Sequence, residues 1–524
     1  MLKKIYGNDG LCKRLMILVC IQPLIDIYRI FVGNRIEIAG VSLVELVNIL
    51  FIGYLAVLFI LNQKKLKSFI PAIVYGVVLG LYFVLHCYNM LQFDTTIMTG
   101  TAVNVIVELY VIIRAYVLPV MLLYIMVYIR TTENRFLKTT VYTGYFISIV
   151  IVITNLLKVS FISYASNLEK NELIRQNVIE WFTKRPPQDL NLITSKGWFY
   201  SGNQIGLILL MLFPIVVYYA IQKQKKTAYL MVAVQVVAMI MVATKTSALG
   251  AFLVLAVMMV LLIVFCVIER KWKAYLKNVL ILGLIFVGGL FILVKSPVIR
   301  MMGLQSLSYE KTTEQEALEE ELEELLEETS EVSNEEFDRE GFIKFLNKYY
   351  YIYGIQEEYI ELFPVDQYTE FWFSVVIDES KRQVDFRDFK QRLYELVISE
   401  NANLGDRYWG IGYTTNFPYL EKDVVAQSVW FGSIGTILLI GPYFMVFLYA
   451  VLKILLKMKE RFNLYNCTLG LSICAGTMAS LVAGHLFGYF FPIIIYMYIL
   501  VQLKHSVTNT VTCNHVGIKD EKGK

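Results

Sequence analysis

Residues 247–268 read SALGAFLVLAVMMVLLIVFCVI, and this uncharged apolar run decides the fold. A helix needs about 20 apolar residues to cross the hydrocarbon core of a bilayer. Inside lipid, the backbone of each span must also satisfy its own hydrogen bonds. The alternating polar and apolar pattern of a membrane β-barrel is absent. The stretch therefore predicts a transmembrane α-helix over Ser247–Ile268.

The same pattern recurs along the whole chain, which has 524 residues, 57% of them hydrophobic. Soluble domains average roughly 45–50% apolar. Twelve spans are predicted: Met16–Val32, Val41–Leu61, Phe69–Leu91, Val103–Ile129, Val141–Ser163, Gln204–Ile221, Ala228–Thr244, Ser247–Ile268, Asn278–Val294, Gln427–Leu452, Leu464–Ala483 and Tyr489–Leu503. We therefore expect an all-α polytopic membrane protein with about twelve transmembrane helices.

Lysine and arginine cluster in every second connection between these spans, at 3–14, 64–67, 130–138, 223–226, 270–277 and 453–461. Basic connections stay on the cytoplasmic side of a membrane. Both termini are therefore predicted to be cytoplasmic (N-in/C-in), and residues 296–425 to lie outside. The net charge of +4 reflects this topology, so we expect no nucleic-acid partner.

The spans divide the chain into four parts. Helices 1–9 occupy 1–295 and include an outer connection at 164–202, a large extracytoplasmic loop fills 296–425, helices 10–12 occupy 426–503, and 504–524 form a cytoplasmic tail. We expect the large loop, between helices 9 and 10, to be mainly helical. Its acidic stretch 310–340 has leucines at helical spacing and predicts a solvated amphipathic helix or disorder, with a calcium-binding or cationic-partner role as the alternative.

Cysteine and histidine usage argues against metal or disulfide chemistry. None of the seven cysteines lies in the large loop, so no disulfide framework is expected there. No CxxC motif or histidine cluster suggests a metal, and we expect no metal and no cofactor. The first span contains Asp26 and Arg29 and lacks a small-residue cleavage site, which disfavours a cleaved signal peptide.

Ionisable residues inside predicted spans need a reason, because charge is costly at membrane depth. Asp26 and Arg29 share the first span, and Glu108 and Arg114 share the fourth. Mutual or interhelical pairing that fixes the packing is one interpretation. A charged wall facing a polar cavity is the other.

Three further groups of residues could carry chemistry at the outer face. Lys245, between Thr244 and Thr246, is either part of a polar turn or an anion site at a helix N-terminus. Arg387 and Arg392 precede the return of the chain to the membrane, where a bidentate guanidinium would suit a pyrophosphate. The third group surrounds this return and comprises Gly410, Gly412, Glu421, Asp423 and, farther along the chain, His485.

These segments together resemble the O-antigen ligase and O-antigen polymerase superfamily of bacterial polysaccharide assembly. The matching stretches are Gly197–Asn203 (GWFYSGN), Thr244–Ser247 (TKTS), Phe386–Asp388 (FRD), Trp409–Tyr413 (WGIGY), Glu421–Asp423 (EKD) followed by Phe431–Gly435 (FGSIG), and Ala483–His485 (AGH). Their order covers nearly the whole chain. Two departures are Lys245 in place of the usual arginine, and Glu421 and Asp423 where many ligases have a histidine.

The resemblance implies a metal-independent inverting glycosyltransferase of C-type architecture in the bacterial inner (cytoplasmic) membrane, with a glycan on polyprenyl pyrophosphate as donor. It implies a pyrophosphate-binding set of Arg387, Lys245, Arg300, Arg114 and Arg392. It also implies glycan positioning by Asn203, Trp198, Gly410 and Gly412, and a general base among Asp423, Glu421 and His485.

Four functions stay open at this point. The first is polymerisation of lipid-linked repeat units into a capsule, O-antigen or teichuronic-acid type polysaccharide, and the second is ligation of a finished glycan to another acceptor. The third is a flippase or other transporter of lipid-linked oligosaccharide, which would need charges at midplane positions and no long outer loop. The fourth is a sensor or scaffold. Membrane lipid and other polysaccharide-assembly membrane proteins are the expected further partners.

Overall fold

The computed structural model describes residues 7–32, 37–38, 41–63, 66–98, 102–165, 171–307, 339–353, 355–377, 386–413 and 420–508. Up to residue 307 its helices are α1 (Asn8–Val32), α2 (Leu43–Asn62), α3 (Ile70–Met90), α4 (Val105–Ile112), α5 (Leu118–Tyr128), α6 (Glu133–Leu156), α7 (Glu180–Thr183), α8 (Gly202–Lys223), α9 (Lys226–Val242), α10 (Lys245–Glu269), α11 (Trp272–Lys295) and α12 (Pro297–Leu307). A π-helical turn, Ile113–Val117, joins α4 to α5.

Beyond residue 338 the helices are α13 (Arg339–Tyr349), α14 (Glu357–Leu362), α15 (Thr369–Ile377), α16 (Phe386–Asn401), α17 (Asp406–Trp409), α18 (Asp423–Trp430), α19 (Gly432–Leu456), α20 (Met458–Arg461), α21 (Leu464–Val482) and α22 (Phe490–Thr508). Short 3₁₀ turns are Leu66–Phe69, Leu190–Ile193 and Tyr350–Tyr353. Over the described ranges, sheet structure is limited to the antiparallel pair β1 (Glu37–Ile38) and β2 (Val41–Ser42).

The helices confirm an all-α, multi-pass membrane protein. Eleven helices in the described part of the chain are long and apolar enough to cross a membrane. A helix also covers the seventh predicted span, but α9 is shorter, at 17 residues. The sidedness of the helices and of the large loop stays a prediction.

Two of the predicted spans are wrong in their bounds. The fifth, predicted at Val141–Ser163, is the helix α6, which already ends at Leu156. Beyond it the backbone is extended, because Phe161 forms bridges with Leu173 and Gly197. The tenth, predicted as one helix over Gln427–Leu452, is divided into α18 and α19 at Gly432, whose positive φ of 65° interrupts the helix.

The chain forms two compact units. The first unit comprises Met1–Val77, Val111–Met302 and Leu438–Lys524. Its centre is α8, which is almost entirely buried and packs against α6, α9, α10 and α21. Large apolar side chains such as Leu253 and Leu284 are exposed on the helices around it, as expected for a surface that faces lipid.

The second unit comprises Val78–Tyr110 and Gly303–Ile437. The described part of its large loop is mainly helical, with Trp372 and Tyr394 among its most buried side chains. The indole of Trp372 donates to the Phe363 carbonyl oxygen over 2.9 Å. The predicted acidic helix at 310–340 lies, up to residue 338, outside the described residues.

Candidate functional site

A polar cavity interrupts the apolar packing of the first unit. It is narrow, with a volume of ≈ 30 Å³, which is room for about one or two water molecules. Its polar lining comes from α1, α2, α8 and the start of α22 and consists of Gln22, Asp26, Arg29, Glu45, Asn48, Gln204 and Tyr489. So many polar groups among membrane helices mark a candidate site, because each of them costs free energy in lipid.

Tyr200 organises the two charged residues that α1 contributes to this cavity. Its backbone N–H donates to Oδ2 of Asp26 over 2.9 Å. Its ring lies under the guanidinium of Arg29, with 3.9 Å from the guanidinium carbon to the ring centroid, a cation–π arrangement. The mutual pairing considered for Asp26 and Arg29 is therefore not a direct ion pair, and the cavity interpretation of these two residues fits the structure.

Glu45 and Arg114 form an ion pair at the same cavity. Arg114 lies in the π-helical turn, and its Nη1 contacts Oε1 of Glu45. A π-turn changes the direction in which a side chain leaves its helix and is frequent at functional sites. Beside this pair, Nε2 of Gln22 donates to Oδ1 of Asn48 over 2.8 Å, both side chains being buried.

A fully buried lysine, Lys196, lies behind the Asp26 side of the cavity. Its Nζ donates to Oδ1 of Asn171 over 2.8 Å. Burial lowers its pKa to about 8, partly opposed by the negative charge of Asp26. Lys196 belongs to a backbone crossing in which Phe161 and Gly197 are bridged, and the Gly197 N–H donates to Oγ of Ser160 over 2.8 Å.

Two of the predicted site residues meet in the first unit although they lie far apart in the chain. Nδ2 of Asn203, in the first turn of α8, lies 3.2 Å from Nε2 of His485. His485 has a positive φ of 70° and follows Gly484, whose φ is also positive. This conformation is uncommon for a residue with a side chain. Asn203 adjoins Gln204 in the cavity wall, so the contact lies close to the cavity lining.

The other predicted residues of the first unit have different surroundings. Lys245 is exposed at the first position of α10, where Thr244 caps the helix and Ser247 donates to the Met239 carbonyl oxygen. Arg300 donates from Nη2 to the Trp181 carbonyl oxygen over 3.0 Å. The indole of Trp198 donates to the Val159 carbonyl oxygen over 2.8 Å.

In the second unit, buried polar side chains of α3 and α4 contact the segment Trp409–Tyr413, which contains the two predicted glycines. His86 places Nε2 2.9 Å from Oε1 of Glu108 and Nδ1 2.5 Å from the Trp409 carbonyl oxygen, and both side chains are fully buried. Oε2 of Glu108 accepts from the Tyr413 N–H over 2.6 Å. Glu108 therefore has His86 as a partner, whereas the partner shown for Arg114 is Glu45.

The segment Trp409–Tyr413 itself crosses the junction between α18 and α19. Gly410 and Gly412 have φ values of 85° and 83°, and the Gly412 N–H donates to the Trp430 carbonyl oxygen over 2.9 Å. Asn89 also contacts α17, because its side chain donates to Oδ1 of Asp406 over 2.8 Å. Burial raises the pKa of Asp406, opposed by its hydrogen bonds from Asn401 and Asn89.

The remaining predicted residues also belong to the second unit. Asp423 is buried at the first position of α18, and Glu421 is half-buried just before it. Arg392 is half-buried on α16 and makes no hydrogen bond or ion pair with any residue that the structure describes. Arg387 is in the first turn of α16, and its side chain lies outside the described residues.

Sequence reasoning missed Glu45, Lys196 and Tyr200 as site residues. Glu45 had a usable signal, because it is a carboxylate near the start of an apolar span. Tyr200 lies within the GWFYSGN stretch, but its two contacts with α1 depend on tertiary structure. No group of three or more metal-ligating side chains occurs among the described residues.

One comparison with known proteins identifies a relationship. The family model described as "O-antigen ligase like membrane protein" matches residues 9–506, which is nearly the whole chain. No curated protein and no solved structure matches this chain.

Proposed function

Since this chain belongs to the O-antigen ligase-like membrane protein family, we propose that it transfers glycan from a polyprenyl-pyrophosphate-linked donor to a growing surface polysaccharide. The reaction takes place at the outer face of the bacterial cytoplasmic membrane. The donor is a lipid-linked repeat unit, and the product is a longer chain of the capsule, O-antigen or teichuronic-acid type.

The observation that carries this proposal is the guanidinium of Arg29 at the polar cavity of the first unit. Arg114, a further cationic candidate that the resemblance predicts, contacts Glu45 in the cavity wall. A leaving diphosphate develops negative charge in the transition state, and guanidinium groups fixed beforehand stabilise that charge strongly where water is scarce. Lys245, Arg300, Arg387 and Arg392 remain the additional cationic candidates that the resemblance predicts.

The chemistry is metal-independent and inverting, on a C-type architecture. An acceptor hydroxyl attacks the anomeric carbon on the face opposite the diphosphate, while a general base takes its proton. Asp423, Glu421 and His485 are the bases that the resemblance predicts. Asn203, Trp198, Gly410 and Gly412 are the residues proposed to position the glycan.

A ligase is the second candidate, favoured by membership of the O-antigen ligase-like family. A ligase would use the same donor chemistry and transfer a finished chain to another acceptor. The two activities leave different glycans on the lipid carrier, which makes them separable in cells.

The test is Arg29→Gln, expressed in a strain from which the native gene has been deleted. Arg14→Gln is the matched control, because Arg14 lies on the same helix and donates to the Tyr54 hydroxyl, away from the cavity. We expect Arg29→Gln to reduce surface polysaccharide by at least about tenfold and Arg14→Gln to leave it unchanged.

The glycan left on the lipid carrier then decides the activity. Single repeats at the outer leaflet indicate a polymerase, and long chains retained on lipid indicate a ligase. Repeats trapped at the inner leaflet would indicate a flippase and contradict the proposal. Normal polysaccharide in the Arg29→Gln strain would remove its main support.

A further inference from the structure

Asp26 and Arg29, which both contact Tyr200, differ from Glu45 and Arg114, the other charged pair at the cavity. Glu45 is neutralised by direct contact with Arg114. Asp26 has no ion pair within the described residues, and its hydrogen bond is with the Tyr200 N–H, through Oδ2 alone. Oδ1 of Asp26 thus makes no hydrogen bond there, although the residue lines the cavity.

Arg29 lines the same cavity and can likewise bind a ligand there. It makes no hydrogen bond or ion pair with any described residue, and its guanidinium lies over the Tyr200 ring. Stacking on an aromatic ring leaves the N–H groups of a guanidinium able to bind a planar or tetrahedral anion. One turn of α1 therefore presents an anchored carboxylate beside a guanidinium that makes no hydrogen bond with a described residue.

We infer that Asp26 is the general base of the transfer reaction and that Tyr200 positions it together with Arg29. This inference rests on the proposed glycan transfer and assigns its proton acceptor, a role for which the sequence offered only Asp423, Glu421 and His485. The ligand it requires is a sugar hydroxyl at Oδ1, with the diphosphate of the donor beside Arg29.

The bonds balance without any further reactant. The acceptor oxygen forms a bond to the anomeric carbon of the donor, and its proton moves to Oδ1 of Asp26. The bond between the anomeric carbon and the diphosphate oxygen breaks, and its electron pair leaves on that oxygen. Arg29 stabilises the resulting charge, and water later removes the proton from Asp26.

The backbone around Tyr200 is held firmly enough for this positioning role. Gly197 has a φ of 69°, and a Cβ at this position would meet Cγ1 of Ile151 at 3.1 Å. The Ser195 N–H donates to the Met241 carbonyl oxygen over 2.8 Å. Ser201 then caps α8. Tyr200 is therefore fixed between two anchored positions, and its N–H keeps a defined direction toward Asp26.

The closing experiment compares Asp26→Asn with Glu133→Gln. Both changes remove a carboxylate from a membrane helix, but Glu133 lies at the start of α6, 3.5 Å from the Tyr218 hydroxyl and outside the cavity lining. Each variant is purified in lipid nanodiscs, its turnover measured with lipid-linked repeat units extracted from the deletion strain, and its binding of undecaprenyl pyrophosphate measured separately.

Losing a general base lowers turnover by roughly 10²–10⁴-fold. We expect this loss for Asp26→Asn, with undecaprenyl pyrophosphate binding within about threefold of the parent protein, and no loss for Glu133→Gln. Asp26→Glu keeps a carboxylate and should recover part of the turnover. If Asp26→Asn does not fold, the turnover of Asp26→Glu is compared with that of the parent protein instead.

Two variants of Tyr200 test the positioning role. Tyr200→Leu keeps the backbone N–H but removes the ring beneath Arg29, so it should weaken undecaprenyl pyrophosphate binding. Tyr200→Phe keeps both the ring and the N–H and should weaken that binding less than Tyr200→Leu. Full turnover in Asp26→Asn, with Arg29→Gln inactive, would overturn the inference and leave the proposed function standing. Full turnover in both variants would overturn the inference and remove the main support for the proposed function.

Discussion

At the scale of single residues, the protein contains charged groups in places where charge is expensive. His86 is one such place, because both ring nitrogens face acceptors: the Trp409 carbonyl oxygen and Oε1 of Glu108. Removing either partner would leave the other buried without its match.

Lys196 is the residue whose burial has the clearest consequence for stability. Its pKa falls from 10.5 in the unfolded chain to about 8 in the fold because burial disfavours the charged form. The folded state is therefore penalised in full below pH 8, and the penalty disappears as pH rises toward 10.5. A shift of this size corresponds to a cost on the order of 3 kcal/mol at pH 7.

We therefore expect Lys196→Met to raise the apparent unfolding temperature at pH 7 by several degrees. The gain should shrink by more than half at pH 9.5, where the parent lysine is neutral in the fold. Thermal unfolding followed by tryptophan fluorescence at the two pH values measures both. Lys225→Met, an exposed lysine between α8 and α9, is the control and should change neither. A gain that grows with pH would contradict this account.

At the scale of elements, the sequence patterns predicted the helices better than their junctions. A run such as 247–268 has a single solution in lipid, and α10 covers it. The break between α18 and α19 is different, because it depends on another chain segment. Gly432 packs against the backbone of Tyr408, and Gly410 packs against the backbone of Trp430. Neither approach can be predicted from hydropathy.

This crossing predicts a large effect for a small substitution. In Gly410→Ala, the new methyl group would overlap the Trp430 carbonyl group, and the positive φ of 85° adds strain of its own. We expect a loss of at least about 2 kcal/mol in the stability of the second unit. Limited proteolysis of the purified protein should show faster cleavage within 339–413.

Gly283→Ala is the matched control for that measurement. Gly283 lies within α11 and a Cβ there would meet nothing within 4 Å. Alanine is favoured over glycine inside a helix by roughly 0.5–1 kcal/mol, so this variant should be as resistant as the parent protein. Equal resistance of both variants would show that the crossing tolerates a side chain.

At the scale of the whole molecule, the sequence determined more of the architecture than of the site. Apolar length alone predicted the eleven long apolar helices found among the described residues, because lipid leaves the backbone few alternatives. The cavity was only partly predictable. Asp26 and Arg29 stood out as charges in a span, but their partner Tyr200 lies 174 positions from Asp26. A single sequence has no signal for a contact between a backbone N–H and a carboxylate at that separation.

The charge pattern predicts the orientation of the molecule, and with it which connections are accessible from outside. The connection before α8 carries Lys184, and the connection after it carries Lys225, both exposed. One membrane crossing separates them, and the basic cluster at 223–226 should be cytoplasmic. In a background without the seven native cysteines, a membrane-impermeant maleimide should label Lys184→Cys in intact cells. Lys225→Cys should react only after the membrane is opened.

Glu357→Cys extends the same test to the large loop, since Glu357 is exposed at the start of α14. It should react in intact cells like Lys184→Cys, because an even number of predicted spans lies between the two positions. Labelling of Lys225→Cys in place of the other two would reverse the orientation. The cavity of Asp26 and Arg29 would then have to be reached from the cytoplasm, where a donor in the outer leaflet is inaccessible.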